Sequence, residues 1–300
     1  MKDGWRGIFS IAASPFDERG TLLFDELAQH ADWIVRAGAH GVVWPVGYSE
    51  FTHLSHEERL RGTRVVVDAA EGRVPVLIGV SAQCRPEAVS YAERAAECGA
   101  DGVIAMLPRG FDAGKYDLIR TYYEEIAEAA ALPVFIQNQG SPWAGLPAET
   151  IVRLCRDIPL VEYVKEEKPP QTNSCQEILD ICGDDMRGVF SGGGGSWLIS
   201  EMQRGISGCF PGAPVTDIVV QVWNLWHEGE REKARELHNR HAAYMRIWRG
   251  MPAGARKHVL VRRGVISTAF VRNEGITELD AVDSQELDYA LALLAPDFTV

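Results

Sequence analysis

Short apolar runs alternate along the chain with amphipathic stretches of helical period. The apolar runs begin near Gly7 (GIFSIAAS), His40 (HGVVWPVG), Pro75 (PVLIGV), Gly102 (GVIAML), Pro133 (PVFIQN), Leu160 (LVEYVKEE), Met186 (MRGVFSGG) and Ile206 (ISGCFPGA), and they read as strands. Between them, residues 25–37, 55–70, 86–98, 116–130 and 147–156 read as helices. Ser55 followed by Glu58 makes a capping-box pattern, and Pro86 and Pro147 suit a first helical turn. Eight strand–helix units favour an α/β fold closed as a (β/α)8 TIM barrel, although periodicity alone does not separate a closed barrel from an open parallel sheet. No G-x-G-x-x-G follows the first strand, so a dinucleotide-binding sheet loses its main support. Past about Gly229 the strands stop, and GEREKARELHNRHAAYMRIW and SQELDYALALLA read as helices. The expected organisation is a barrel over residues 1–228 and a C-terminal helical extension over 229–300, packed on the barrel.

Composition narrows the function. A chain of 300 residues with 46% hydrophobic content can bury a large core. The formal charge of −12 argues against nucleic acid and, more weakly, against an anionic membrane, yet leaves room for a small anionic substrate held by a few local donors. Six cysteines (Cys84, Cys98, Cys155, Cys175, Cys182 and Cys209) lie scattered without a C-x-x-C pair and read as reduced, mostly buried thiols. Neither they nor His53 and His56 have the spacing of a metal site, so no metal is expected. The opening Met-Lys-Asp-Gly-Trp-Arg lacks an apolar leader core, and no apolar stretch nears membrane-spanning length. The reading is a soluble, cytoplasmic protein.

In an α/β barrel, chemistry sits where strands end and loops begin. That rule selects Gly47-Tyr48-Ser49-Glu50-Phe51, Pro108-Arg109-Gly110-Phe111, Gln137-Asn138, Lys165-Glu166-Glu167 and Ser191-Gly192-Gly193-Gly194-Gly195. The chain has only six lysines: Lys2, Lys115, Lys165, Lys168, Lys233 and Lys257. Most occupy polar segments and should be solvated. Lys165 instead ends an apolar run and should point into the barrel mouth, where desolvation favours the neutral amine that a nucleophile needs. Position alone leaves a second account open, in which Lys165 pairs with Glu166, Glu167 or another carboxylate. Gln137 is unusual at the end of an apolar strand and is a candidate for substrate contact, as is Ser191. Asn138 reads as a turn-shaping residue and Glu50 as a support for its loop. The glycine run from Gly192 lacks a P-loop lysine, so a wide turn letting a ligand near the backbone fits it better than a phosphate cradle. Trp223, Trp226 and Trp248 fall in helical segments and read as packing or subunit contacts.

These segments, in order, resemble the dihydrodipicolinate synthase/N-acetylneuraminate lyase family of class I aldolases and lyases. Ala13-Ser14-Pro15-Phe16-Asp17 looks like the family's T-P-F opening, and Gly47-Tyr48-Ser49-Glu50-Phe51 stands at its G-T-T-G-E position, one residue shorter. Residues 73–80 (RVPVLIGV) are similar to its R-V-P-V-I-x-G-V strand, and residues 132–138 (LPVFIQN) to L-P-V-x-x-Y-N. Val164-Lys165-Glu166 looks like G-x-K-E, which bears the Schiff-base lysine. The resemblance implies that Lys165 forms an imine with a 2-keto acid, that Gly47, Tyr48 and Ser49 bind the acid's carboxylate, and that no cofactor takes part. It also implies a homo-oligomer, tetramer or dimer. Three departures stand out. Gln137 replaces a proton-relaying tyrosine and cannot titrate; Gly140-Ser141-Pro142-Trp143 lacks the synthases' arginine; and Pro108-Arg109-Gly110 replaces their P-Y-Y. One branch resembles the chain better, that of L-2-keto-3-deoxyarabonate dehydratase-like members, with a Ser-Glu-Phe-like loop, a Gln on strand five and Lys-x-Glu on strand six. The expected reaction is dehydration of a 2-keto-3-deoxy sugar acid. The alternatives are a pyruvate-dependent aldolase or retro-aldolase, a dihydrodipicolinate synthase-like condensation, and an idle keto-acid-binding barrel.

Overall fold

The computed structural model describes residues 4–140, 145–252, 254–272 and 278–300, without the side chains of residues 248 and 249. Eight parallel strands close into a barrel in sequence order. They are β1 (Gly7–Ile11), β2 (Gly41–Trp44), β3 (Val76–Gly79), β4 (Gly102–Ala105), β5 (Val134–Asn138), β6 (Val161–Glu166), β7 (Gly188–Ser191) and β8 (Gly208–Cys209). All eight predicted strands are present, and closure decides between the barrel and the open sheet. The helices between strands are α1 (Phe24–Arg36), α2 (His56–Ala70), α3 (Arg85–Cys98), α4 (Tyr116–Ala130), α5 (Ala148–Asp157), α6 (Gln171–Cys182) and α7 (Leu198–Arg204). After β8 come α8 (Thr216–His227), α9 (Arg231–Gly250), α10 (Ala255–Arg262) and α11 (Ala281–Leu294).

Local chemistry sets these boundaries. Ser55 accepts from the Glu58 N–H while the Glu58 carboxylate accepts from the Ser55 N–H, so the expected capping box opens α2. Pro147 does not enter the first turn of its helix; it is the cap residue, with extended backbone, and α5 begins at Ala148. Trp223 and Trp226 are buried in α8. The Trp248 side chain lies outside the described residues. All six cysteines are free thiols, five of them buried and Cys84 exposed. No helix among the described residues is long and apolar enough to cross a membrane.

The chain groups into two compact units, Met1–Phe9 with Pro75–Phe210, and Ser10–Val74 with Pro211–Val300. The first has an aromatic core. Phe135 stacks on Tyr163 at 4.5 Å between centroids, Phe190 meets both Phe9 and Phe210 edge-on at 5.3 and 5.4 Å, and Trp5 stacks on Tyr163 at 5.3 Å. Each such pair contributes about 0.5–1.5 kcal/mol beyond area burial. Tyr163 and Phe190 belong to the inner face of their strands. Alternation therefore puts Lys165 on that same inner face, one step further along β6. In the second unit, Lys257 on α10 and Arg272 beyond it tie the C-terminal segment to the loop after β2.

Candidate active site

Lys165 is 3% exposed. Its Nζ stands 5.6 Å from the centroid of the Phe210 ring, so the aromatic core forms an apolar wall beside the amine. Nζ makes an ion pair with Glu167 Oε2 at 3.1 Å. The same oxygen accepts a hydrogen bond of 2.7 Å from Gln137 Nε2. Gln137 and Lys165 are register partners across β5 and β6, which is why one carboxylate reaches both. Gln137 Oε1 is buried with no hydrogen-bond partner among the described residues. An amide oxygen left so costs about 1–3 kcal/mol, which a bound hydroxyl would recover.

A second buried lysine shows what a purely structural one looks like. Lys257 Nζ donates to Glu50 Oε1 at 2.6 Å, to Ser14 O at 2.7 Å and to Phe270 O at 2.7 Å. An ammonium has three donors, and here all three are taken. Burial lowers its pKa, and the Glu50 carboxylate opposes that shift. Lys257 is thus an exception to the expectation of solvated lysines: three acceptors offset the desolvation that its polar segment did not foretell. Among the described residues, Lys165 has a single carboxylate contact.

The next residue along each strand faces the helices. Asn138 Nδ2 donates to Glu166 Oε2 at 2.7 Å and to Leu146 O at 3.1 Å, and Asn138 Oδ1 accepts from Leu146 N at 2.7 Å. Glu166 Oε1 accepts from Lys168 N at 2.6 Å, which fixes the turn after β6. Ser191, register partner of Glu166, donates instead to Glu201 Oε2 on α7 at 2.7 Å, away from the face that carries Lys165. Gln171 Nε2 donates to the other oxygen of Glu201 at 2.6 Å. Burial raises the pKa of Glu166 and of Glu201 to about 7, against the hydrogen bonds that lower them.

The loop after β2 is a 3-10 turn over Gly47–Ser49 followed by Glu50 in the left-handed region at φ 58°. The Ser49 hydroxyl donates to Ala12 O at 2.6 Å and accepts from Val46 N at 3.3 Å, so its proton is committed within the loop. Glu50 holds Lys257 and accepts from Arg272 N at 2.7 Å. The Tyr48 hydroxyl is buried without a partner among the described residues, and burial raises its pKa well above the usual range. Of the predicted residues, then, Lys165 and Gln137 meet on one carboxylate. Glu167, read from sequence as one possible ion-pair partner, is that carboxylate, and the Lys-x-Glu spacing was its signal. Glu201 and Lys257 lie on helices with no motif to mark them. Ser141, Pro142 and Trp143, in the loop after β5, lie outside the described residues.

A closed eight-stranded barrel with a buried lysine on the inner face of β6 defines the barrel lyases of the class I aldolase type. The chain matches the family model described as "Dihydrodipicolinate synthetase family" over residues 4–292, and it belongs to that family. It is similar to an L-2-keto-3-deoxyarabonate dehydratase of Azospirillum brasilense, with 27% identity over 233 residues, covering 76% of this chain and 75% of the relative. It is also similar to a 4-hydroxy-tetrahydrodipicolinate synthase of Methanocaldococcus jannaschii, with 27% identity over 245 residues, 78% of this chain and 80% of that one. Among solved structures, YagE of E. coli K12, a prophage protein of the dihydrodipicolinic acid synthase family in complex with pyruvate, superposes with a TM-score of 0.88. The identity there is 20%, over 96% of this chain and 98% of that one.

Proposed function

We propose that the protein dehydrates a 2-keto-3-deoxy sugar acid through an imine on Lys165. The observation that carries this reading is the single carboxylate oxygen of Glu167 shared by Lys165 Nζ and Gln137 Nε2. Likeness to the Azospirillum dehydratase supports it. The neutral amine of Lys165 attacks the C2 ketone, and the carbinolamine loses water to give an iminium, the electron sink for the next step. C3 is bonded to C2, so its protons come within reach of a carboxylate that touches Nζ. Glu167 takes one of them, and the C–H electron pair becomes the C2–C3 bond of an enamine. The enamine pushes hydroxide off C4, which leaves as water with the proton held by Glu167. Water then hydrolyses the conjugated iminium and frees Lys165. The net change is loss of one water.

Gln137 cannot carry a proton. Its Nε2 orients Glu167, and its unpartnered Oε1 is offered to a substrate hydroxyl. The substrate carboxylate is assigned to the loop of Gly47, Tyr48 and Ser49, through the backbone N–H groups of Gly47 and Tyr48, because the Ser49 hydroxyl proton and the Ser49 N–H are both already used. Ser191 braces β7 through Glu201. The reading includes a cytoplasmic location, supported by six free cysteines, and assembly into a dimer or tetramer, to be measured by sedimentation. A retro-aldolase would use the same enamine but break a carbon–carbon bond. Product analysis separates the two on a panel of 2-keto-3-deoxy acids. Loss of one water mass without pyruvate is the expected result, whereas pyruvate with an aldehyde would overturn dehydration. Lys165→Ala should remove either activity.

A further inference from the structure

Behind Glu167 stands Gly192, the first residue of the glycine run after β7. A Cβ placed on Gly192 would lie 2.4 Å from Glu167 Cγ, 2.4 Å from Oε1 and 2.6 Å from Cδ. Real carbons do not approach so closely, so the Glu167 side chain occupies the space that a side chain at 192 would need. A left-handed backbone is not the reason for glycine here, since φ at Gly192 is −101°. Gly193, Gly194 and Gly195, at φ 65°, 70° and 80°, are glycines for conformational reasons; Gly192 is one for room. The space beside its α carbon is filled by the Glu167 side chain.

We infer that Gly192 is a positioning residue whose missing side chain lets the Glu167 carboxylate sit against Lys165 and Gln137. This rests on the reading of Glu167 as the C3 base. The obstructed atoms are the far end of a flexible side chain, while the backbone is anchored by Glu167 N donating to Asn138 O at 2.8 Å and Gly192 N donating to Glu166 O at 3.1 Å. A methyl at 192 therefore displaces the carboxylate and leaves the fold in place. Base catalysis is lost while the amine keeps its own position.

Pyruvate in D2O tests this without knowledge of the natural substrate, because exchange of its methyl protons requires the Lys165 imine followed by C3 deprotonation. Exchange followed by NMR should fall about 10²-fold or more in Gly192→Ala. Borohydride trapping of pyruvate on Lys165 should stay near the wild-type level, and so should the thermal midpoint. Glu167→Ala alone should lose exchange to a similar extent, and adding Gly192→Ala to it should cost nothing more, since the obstructed side chain is gone. Wild-type exchange in Gly192→Ala beside a crippled Glu167→Ala would overturn the role of Gly192 while leaving the base in place. An equal further loss when Gly192→Ala is added to Glu167→Ala, or an unfolded Gly192→Ala, would also overturn it. Wild-type exchange in Glu167→Ala would remove the base reading and this inference together.

Discussion

Two lysines are 3% exposed, and their acceptors separate their roles. Lys257 spends every donor on fixed oxygens, whereas Lys165, among the described residues, faces one carboxylate and an aromatic wall. Only the second arrangement leaves an amine free to attack. Glu167→Gln keeps the side chain's shape and removes its basicity. It should lower kcat by about 10²–10⁴-fold while borohydride still traps pyruvate on Lys165; loss of both would show that Glu167 serves the imine step instead. Lys165 could be read from sequence because it ends an apolar run, and Gln137 because an amide is out of place at the end of one. The choice between nucleophile and ion pair could not be made, and the structure shows why: the pairing with Glu167 is real and belongs to the proposed chemistry. Glu201 gave no signal, since its burial depends on how α7 packs against Ser191 of β7 and Gln171 of α6, which no sequence pattern marks.

At the scale of elements, the loop after β2 is held from two sides by the C-terminal segment. Lys257 on α10 joins Glu50 to the carbonyls of Ser14 and Phe270. Arg272 grips Glu58 with two nitrogens at 2.6 and 2.7 Å and also donates to Gly20 O and His53 O. Lys257→Met leaves Glu50 buried beside an apolar chain and should destabilise the fold by about 3–5 kcal/mol in urea titration. A loss under about 1 kcal/mol would mean that water or Arg272 takes over the carboxylate. The strands and the capping box of α2 were legible because each depends on neighbours in sequence. The start of α5 was less so, because Pro147 suits a cap as well as a first turn.

Across the whole molecule, barrel closure was beyond the reach of periodicity, because it depends on the pairing of β1 with β8. The same burial that closure creates sets the pH response. Burial lowers His30 and His241 to about 3 from 6.5, so the unfolded chain binds more protons between those values and stability falls on acidification. Glu166 and Glu201 are raised to about 7 from 4.5, so the folded chain holds more protons there and stability falls as pH rises through that window. Two groups oppose two between pH 4.5 and 6.5, which predicts a plateau in Tm. Below it the histidines act unopposed and are joined by Asp32 and Glu58, which arginine partners hold below the usual carboxylate range. Thermal melts from pH 3 to 8 should show a steep acid limb and a flat centre; a Tm climbing steadily through pH 5 and 6 would contradict the burial of the two glutamates. Imine formation on Lys165 is read out by reducing the protein with borohydride in the presence of pyruvate and mapping the adduct by peptide mass spectrometry. One reduced pyruvyl adduct is expected, on the peptide containing Lys165 and absent from Lys165→Ala. No adduct on folded protein, or an adduct on Lys257 in its place, would contradict that imine.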